Sequence, residues 1–93
     1  MALSSPEKEK LCRAMASSLP LFRAQLSFSQ EDLAERLNVT RQTISAFEGG
    51  QREMPWNVFL ACLMLFSSRA TTNKMLVALG IYTEQLKYFL TGK

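Results

Sequence analysis

Arg41, Gln42, Thr43 and Ser45 form a run of polar side chains directly after the tripeptide Asn38-Val39-Thr40. Arginine offers a rigid fork of N–H donors, and glutamine pairs a donor with an acceptor. Such a run is equipped to grip polar edges rather than to break bonds. The other chemistry-bearing residues nominate no reaction. The chain has no histidine and two cysteines, Cys12 and Cys62, each inside an apolar helical pattern. Free cysteines in that setting behave as small buried hydrophobes. Glu31, Asp32 and Glu35 look like a carboxylate cluster, but they sit in the first turns of a helix, where its dipole favours acids. Gly49-Gly50 has neither the preceding strand nor the following Gly-Lys-Ser/Thr of a phosphate-cradling loop. No nucleophile has a base beside it and no residues have metal-ligand spacing. The sequence therefore points to no enzyme, no cofactor and no metal.

The elements that must position Arg41 and Gln42 are helical. Ser5-Pro6-Glu7 reads as a helix start, with a capping serine, proline at the first position and acid in the first turn. Leu11, Met15, Leu19, Phe22 and Leu26 then recur at steps of four and three, which is one helical face. Pro20 interrupts that face, so a kink or break is expected near Ser18–Leu19. Ser29 caps a second helix over about Gln30–Leu37, with Leu33, Ala34 and Leu37 inward. A third runs over about Arg41–Phe47, with Ile44 and Phe47 inward, and Glu48-Gly49-Gly50 stops it. Met54-Pro55-Trp56-Asn57 turns into a fourth helix, about Trp56–Phe66. A polar loop, Ser67–Thr71, a short helix over about Thr72–Leu79 ending at Gly80, and a last helix, Glu84–Leu90 capped by Thr83, complete the pattern. No strand alternation and no repeat is present. The expected fold is all-α, a compact bundle of five to six helices.

The interruption between the second and third helices has a physical meaning. Asparagine is among the few residues besides glycine that adopt positive φ, so Asn38 lets the chain leave the second helix sharply. Thr40 then caps the third. Small Ala34 allows close helix approach, and Leu33, Leu37, Val39, Ile44 and Phe47 supply a shared core. This is a helix-turn-helix. Its restart puts Arg41, Gln42, Thr43, Ser45 and Ala46 outside the core. A helix fits the major groove of B-DNA, where arginine grips guanine O6 and N7, glutamine grips adenine N6 and N7, and an alanine touches a thymine methyl. Each bidentate pair discriminates by about 1–3 kcal/mol.

Gln30-Glu31-Asp32-Leu33-Ala34, Leu37 through Ser45 and Phe47-Glu48-Gly49-Gly50 together resemble the Cro/C1-type helix-turn-helix family, which includes the lambdoid phage repressors. The resemblance covers about Leu19 to Phe66, with a weaker echo at Ala78-Leu79-Gly80-Ile81 and Leu86. It implies a lambda-repressor-like fold and double-stranded DNA as the partner. It implies that Arg41, Gln42, Ser45 and Ala46 read bases. Gln30 is expected on a phosphate, with Thr40, Thr43, Gly49, Gln51 and Arg52 also along the backbone. Arg23 and Glu48 match a pair that forms a buried salt bridge in some members. The chain departs from the family pattern in three places: Asn38 stands where glycine is preferred, Pro20 falls inside the first helix, and Ser67–Lys74 is inserted after the fourth.

Ninety-three residues make one domain, 1–93, with its core over about 19–66 and a C-terminal part, about 72–90, for packing or dimerisation. The 47% hydrophobic content is that of a globular chain, and the net charge of +3 permits a nucleic-acid partner without demanding one. Glu7, Lys8, Glu9 and Lys10 break any apolar run of a secretory leader. The longest apolar run, Val58 to Phe66, falls short of the roughly 20 residues a bilayer requires. A cytoplasmic protein with no membrane partner is expected, with no ligand-sensing or peptidase domain. Since Val58–Phe66 is apolar all round, part of it is expected to join Tyr82, Leu86, Phe89 and Leu90 in a homodimer seam. The reading is a sequence-specific transcriptional regulator, most simply a repressor on a palindromic operator. Two alternatives stand beside it: a DNA-binding antitoxin that also holds a protein partner, and a protein-interaction module that kept the fold without DNA.

Overall fold

The computed structural model describes residues 3–92, and within them the chain forms six α-helices and no strand. They are α1 (Ser5–Leu26), α2 (Gln30–Leu37), α3 (Arg41–Glu48), α4 (Trp56–Ser67), α5 (Ala70–Ala78) and α6 (Glu84–Thr91). Helices α2 and α3 pack on each other, and α1 and α4 back them. The centre is aromatic: Phe22, Phe47, Phe59 and Phe66 are all buried, and Phe22 of α1 stacks on Phe66 of α4 at 4.3 Å. Each such ring contributes about 1.5–3 kcal/mol by leaving water.

The first helix starts one residue earlier than the sequence pattern indicates. Ser4, not Ser5, is the cap: its hydroxyl accepts from the Glu7 N–H, and the Glu7 carboxylate accepts from the Ser4 N–H. This reciprocal pair satisfies two orphan donors at once. The expected break at Pro20 does not occur, because α1 runs unbroken over 22 residues. Pro20 is exposed, while Leu19 and Phe22 beside it are fully buried. Their packing outweighs the one backbone hydrogen bond that proline removes.

The C-terminal half differs more. Ser67–Thr71 is not a loop: α5 begins at Ala70, and only Ser68 and Arg69 separate it from α4. The reason is Thr72, which is buried with its hydroxyl donating to the Phe66 carbonyl at 2.5 Å. That bond closes the exposed end of α4 and admits a polar side chain to the core. Gly80 takes positive φ (73°) after α5, and the Ile81 N–H donates back to the Leu76 carbonyl. Ile81 and Leu86 are then fully buried, which docks α6.

Candidate nucleic-acid interface

The α2–α3 connection is three residues with fixed tasks. Asn38 adopts the left-handed conformation (φ 57°, ψ 44°), and the Val39 N–H donates to the Ala34 carbonyl at 3.0 Å. Thr40 is extended, and its Oγ1 accepts from the Thr43 N–H at 3.1 Å. Leu33, Ala34, Ile44 and Phe47 are buried. Helix α3 is thereby pinned along one face, with Arg41, Gln42 and Ser45 exposed on the other and Ala46 half-buried one turn on. Among the described residues, no hydrogen bond or ion pair holds the Arg41 or Gln42 side chain. Both are available to an external partner.

Beside them lies an open cleft of about 420 Å³ lined by Glu31, Ala34, Glu35, Val39, Arg41 and Gln42. The two glutamates place negative charge next to the Arg41–Gln42 end of α3.

At the opposite end of α3, three helices meet on one carboxylate. Glu48 Oε2 accepts from Arg23 Nε at 2.7 Å, and Glu48 Oε1 accepts from Arg23 Nη2 at 3.0 Å. This is a bidentate ion pair, 20% exposed on the arginine side chain and 9% on the glutamate. The bonds to Glu48 raise the Arg23 pKa above its ordinary value. Arg23 Nη1 also donates to the Phe28 carbonyl at 3.2 Å. Gln30, the first residue of α2, donates from Nε2 to Glu48 Oε1 at 3.0 Å. No sequence signal connects Gln30 to a residue 18 positions away, and the link was not anticipated.

The remaining phosphate candidates are arranged as follows. Thr40 and Thr43 lie at the start of α3, with their hydroxyls 2.9 Å apart. Arg52 donates to Thr43 Oγ1 at 3.3 Å, and its guanidinium lies 5.8 Å from the centre of the Phe47 ring. Gly49 and Gly50 are exposed, with Gly50 at positive φ (78°). The Gln51 amide folds back over Gly49, where any Cβ would collide with it.

Two further surfaces were not, or not fully, legible in the sequence. Phe28 is flanked by two cations, Arg36 at 4.9 Å and Arg69 at 5.9 Å from its ring centre. Elsewhere, Leu60, Leu63, Met64, Ser67, Tyr82 and Leu90 line an apolar groove of about 380 Å³. Met64, part of its wall, is 76% exposed. Leu86, expected in a seam between copies, is instead fully buried within the chain, in the same core cluster as Ile81. Phe89 is half-buried and Tyr88 is exposed.

An all-α bundle whose short capped helix offers a free Arg-Gln pair at its N-terminus is a helix-turn-helix domain of lambda-repressor type. Residues 21–54 match the family model described as helix-turn-helix. Over that stretch, about a third of the chain, it is similar to the Cro/C1-type helix-turn-helix family. No curated protein and no solved structure matches the chain. Among the described residues, no helix is long and apolar enough to cross a membrane.

Proposed function

We propose that this chain is a sequence-specific regulator of transcription that binds double-stranded DNA, most simply a repressor that occupies a promoter. The observation that carries this reading is the exposed, unengaged Arg41–Gln42 pair at the N-terminus of a helix pinned by Ile44 and Phe47. In this reading α3 enters the major groove, Arg41 and Gln42 read base edges, and Ser45 and Ala46 lie one turn further along. Gln30, Thr40, Thr43, Gly49, Gln51 and Arg52 line the phosphate backbone. The protein works in the cytoplasm as one domain.

The groove walled in part by Met64 supports a homodimer. An apolar groove with an exposed apolar wall at Met64 offers one patch that two copies can share across a two-fold axis. Tyr82, Phe89 and Leu90 flank the seam. Two copies would then read a palindrome with half-sites about 34–36 Å apart.

The test is selection from a random duplex library, followed by anisotropy titration of the winner at several salt concentrations. The comparison is wild type against Arg41→Ala with Gln42→Ala. A palindromic winner with a steep salt dependence, lost in the folded double variant, is expected. No enrichment by a folded protein refutes the reading and favours a protein-interaction module.

A further inference from the structure

We infer that Glu48 is a positioning residue that aims the Gln30 amide at the DNA backbone. The inference rests on the phosphate role proposed for Gln30. A glutamine amide carries two hydrogens on its nitrogen and an acceptor oxygen, and on a surface helix it rotates among many arrangements. Here one Nε2 hydrogen is taken by Glu48 Oε1 at 3.0 Å. The carboxylate itself cannot swing, because Arg23 holds both of its oxygens, at 2.7 and 3.0 Å. Arg23 is in turn tied to the Phe28 carbonyl, two residues before Gln30. The amide is therefore clamped from α1 and α3 while it sits on α2.

The clamp fixes which way the second Nε2 hydrogen faces. That hydrogen is left for an acceptor other than Glu48, on the first residue of α2. Ser29 Oγ already satisfies the Asp32 N–H at 3.0 Å, so the cap does not compete for the same donor. An amide aimed in advance loses no rotational freedom when it meets an anion. Glu48 carries negative charge near the duplex, and Arg23 neutralises it, so the orienting group does not repel the phosphate it serves.

The first measurement is the mobility of side-chain amides in the free wild-type protein by ¹⁵N relaxation. The Gln30 amide is expected to be rigid, and those of exposed Gln25 and Gln42 mobile. A Gln30 amide as mobile as that of Gln42 overturns the inference, and this readout needs no variant. The second is anisotropy against salt on the selected duplex for Gln30→Ala, Glu48→Asp and the double variant. Aspartate keeps a carboxylate opposite Arg23 but is one methylene shorter. Each single variant should lower affinity about tenfold, the worth of one hydrogen bond to a charged group. The salt slope should stay unchanged, because neither a neutral amide nor a retained carboxylate alters the charge that the duplex meets, and the double variant should show no further loss of affinity. Weaker binding by a folded Glu48→Asp that is additive with Gln30→Ala would assign Glu48 a purely structural role and overturn the inference. Should Glu48→Asp not fold, Glu48→Gln takes its place. Absence of any duplex binding by folded wild type overturns the DNA reading itself, and the phosphate role falls with it whatever the amide mobility.

Discussion

Replacing Glu48 by alanine removes the acceptor of three hydrogen bonds at once, two from Arg23 and one from Gln30. The guanidinium of Arg23 would keep only the Phe28 carbonyl. A fully buried ion pair that loses one partner costs about 3–5 kcal/mol, because the other charge is stranded. Here the Arg23 side chain is 20% exposed, so part of that charge can regain water, and the loss is set at about 3 kcal/mol. A domain of this length has roughly 5–14 kcal/mol of stability in all. Each kcal/mol moves the melting temperature by about 4–8 °C at this size, so Glu48→Ala should melt about 12–24 °C lower. Thermal unfolding followed by far-ultraviolet circular dichroism at neutral pH measures it. Replacing both partners by apolar residues, Arg23→Met with Glu48→Leu, should recover much of the loss, since no charge is then left unpaired. A Glu48→Ala protein melting within about 4 °C of wild type would show that the pair is worth no more than an exposed surface bridge, and the reasoning would fail.

Three further expectations follow from other parts of the fold. Asn38 sits at φ 57°, so Asn38→Gly should leave stability unchanged or raise it, whereas Asn38→Val should lower it by about 1–2 kcal/mol in urea titration. Hydrogen bonds from the Ser4 and Ser29 backbone N–H groups hold the carboxyls of Glu7 and Asp32 below their ordinary pKa values of 4.5 and 3.8. Carboxyls depressed in the folded state stabilise it above the unfolded pKa and cease to do so as pH falls through the folded pKa. Melting temperature should therefore decline below about pH 4.5, and less so in Asp32→Asn, which has no carboxyl left to protonate. Burial pushes the Cys62 thiol up to about 12. A thiol whose pKa is raised on folding stabilises the fold below its unfolded value of 9.0, and that contribution is lost as pH rises toward 12. Cys62 should accordingly resist a thiol reagent such as DTNB in native buffer at pH 8 and react promptly in denaturant. Fast native labelling would contradict its burial.

The helix-turn-helix was legible because its local signals agree. Ser29 and Thr40 cap, Asn38 turns, and the apolar spacing of Leu33, Ala34, Ile44 and Phe47 fits one seam. The placement of Arg41 and Gln42 at an exposed helix start follows from the same residues. The C-terminal half was less legible for a physical reason. Thr72 looks like loop material in sequence but serves as a buried closure for α4, a role that only tertiary packing assigns. Pro20 does not break α1, since the burial of Leu19 and Phe22 beside it overrides its local preference. Leu86 is expected in a seam between copies because the C-terminal apolar residues read as an interface patch, but it is fully buried within the chain. The bond between Gln30 and Glu48 joins two helices through a third residue on α1, and no periodicity encodes such a meeting.

The connections between helices are short: three residues between α2 and α3, and two between α4 and α5. Local connections of this kind let helical domains fold in microseconds to milliseconds. Synthesis at about 5–20 residues per second takes roughly 5–20 s for 93 residues, far longer than folding. The α2–α3 unit therefore leaves the ribosome well before its closing partners. It waits for α4 to bring Phe59 and Phe66 against α1, and for α6, whose Gln85 bonds Glu7 across 78 positions of chain. Until then Phe22 and Phe47 lack part of their cover. The nascent chain spends seconds with its core open, and that interval is when a chaperone or a second nascent copy would find it.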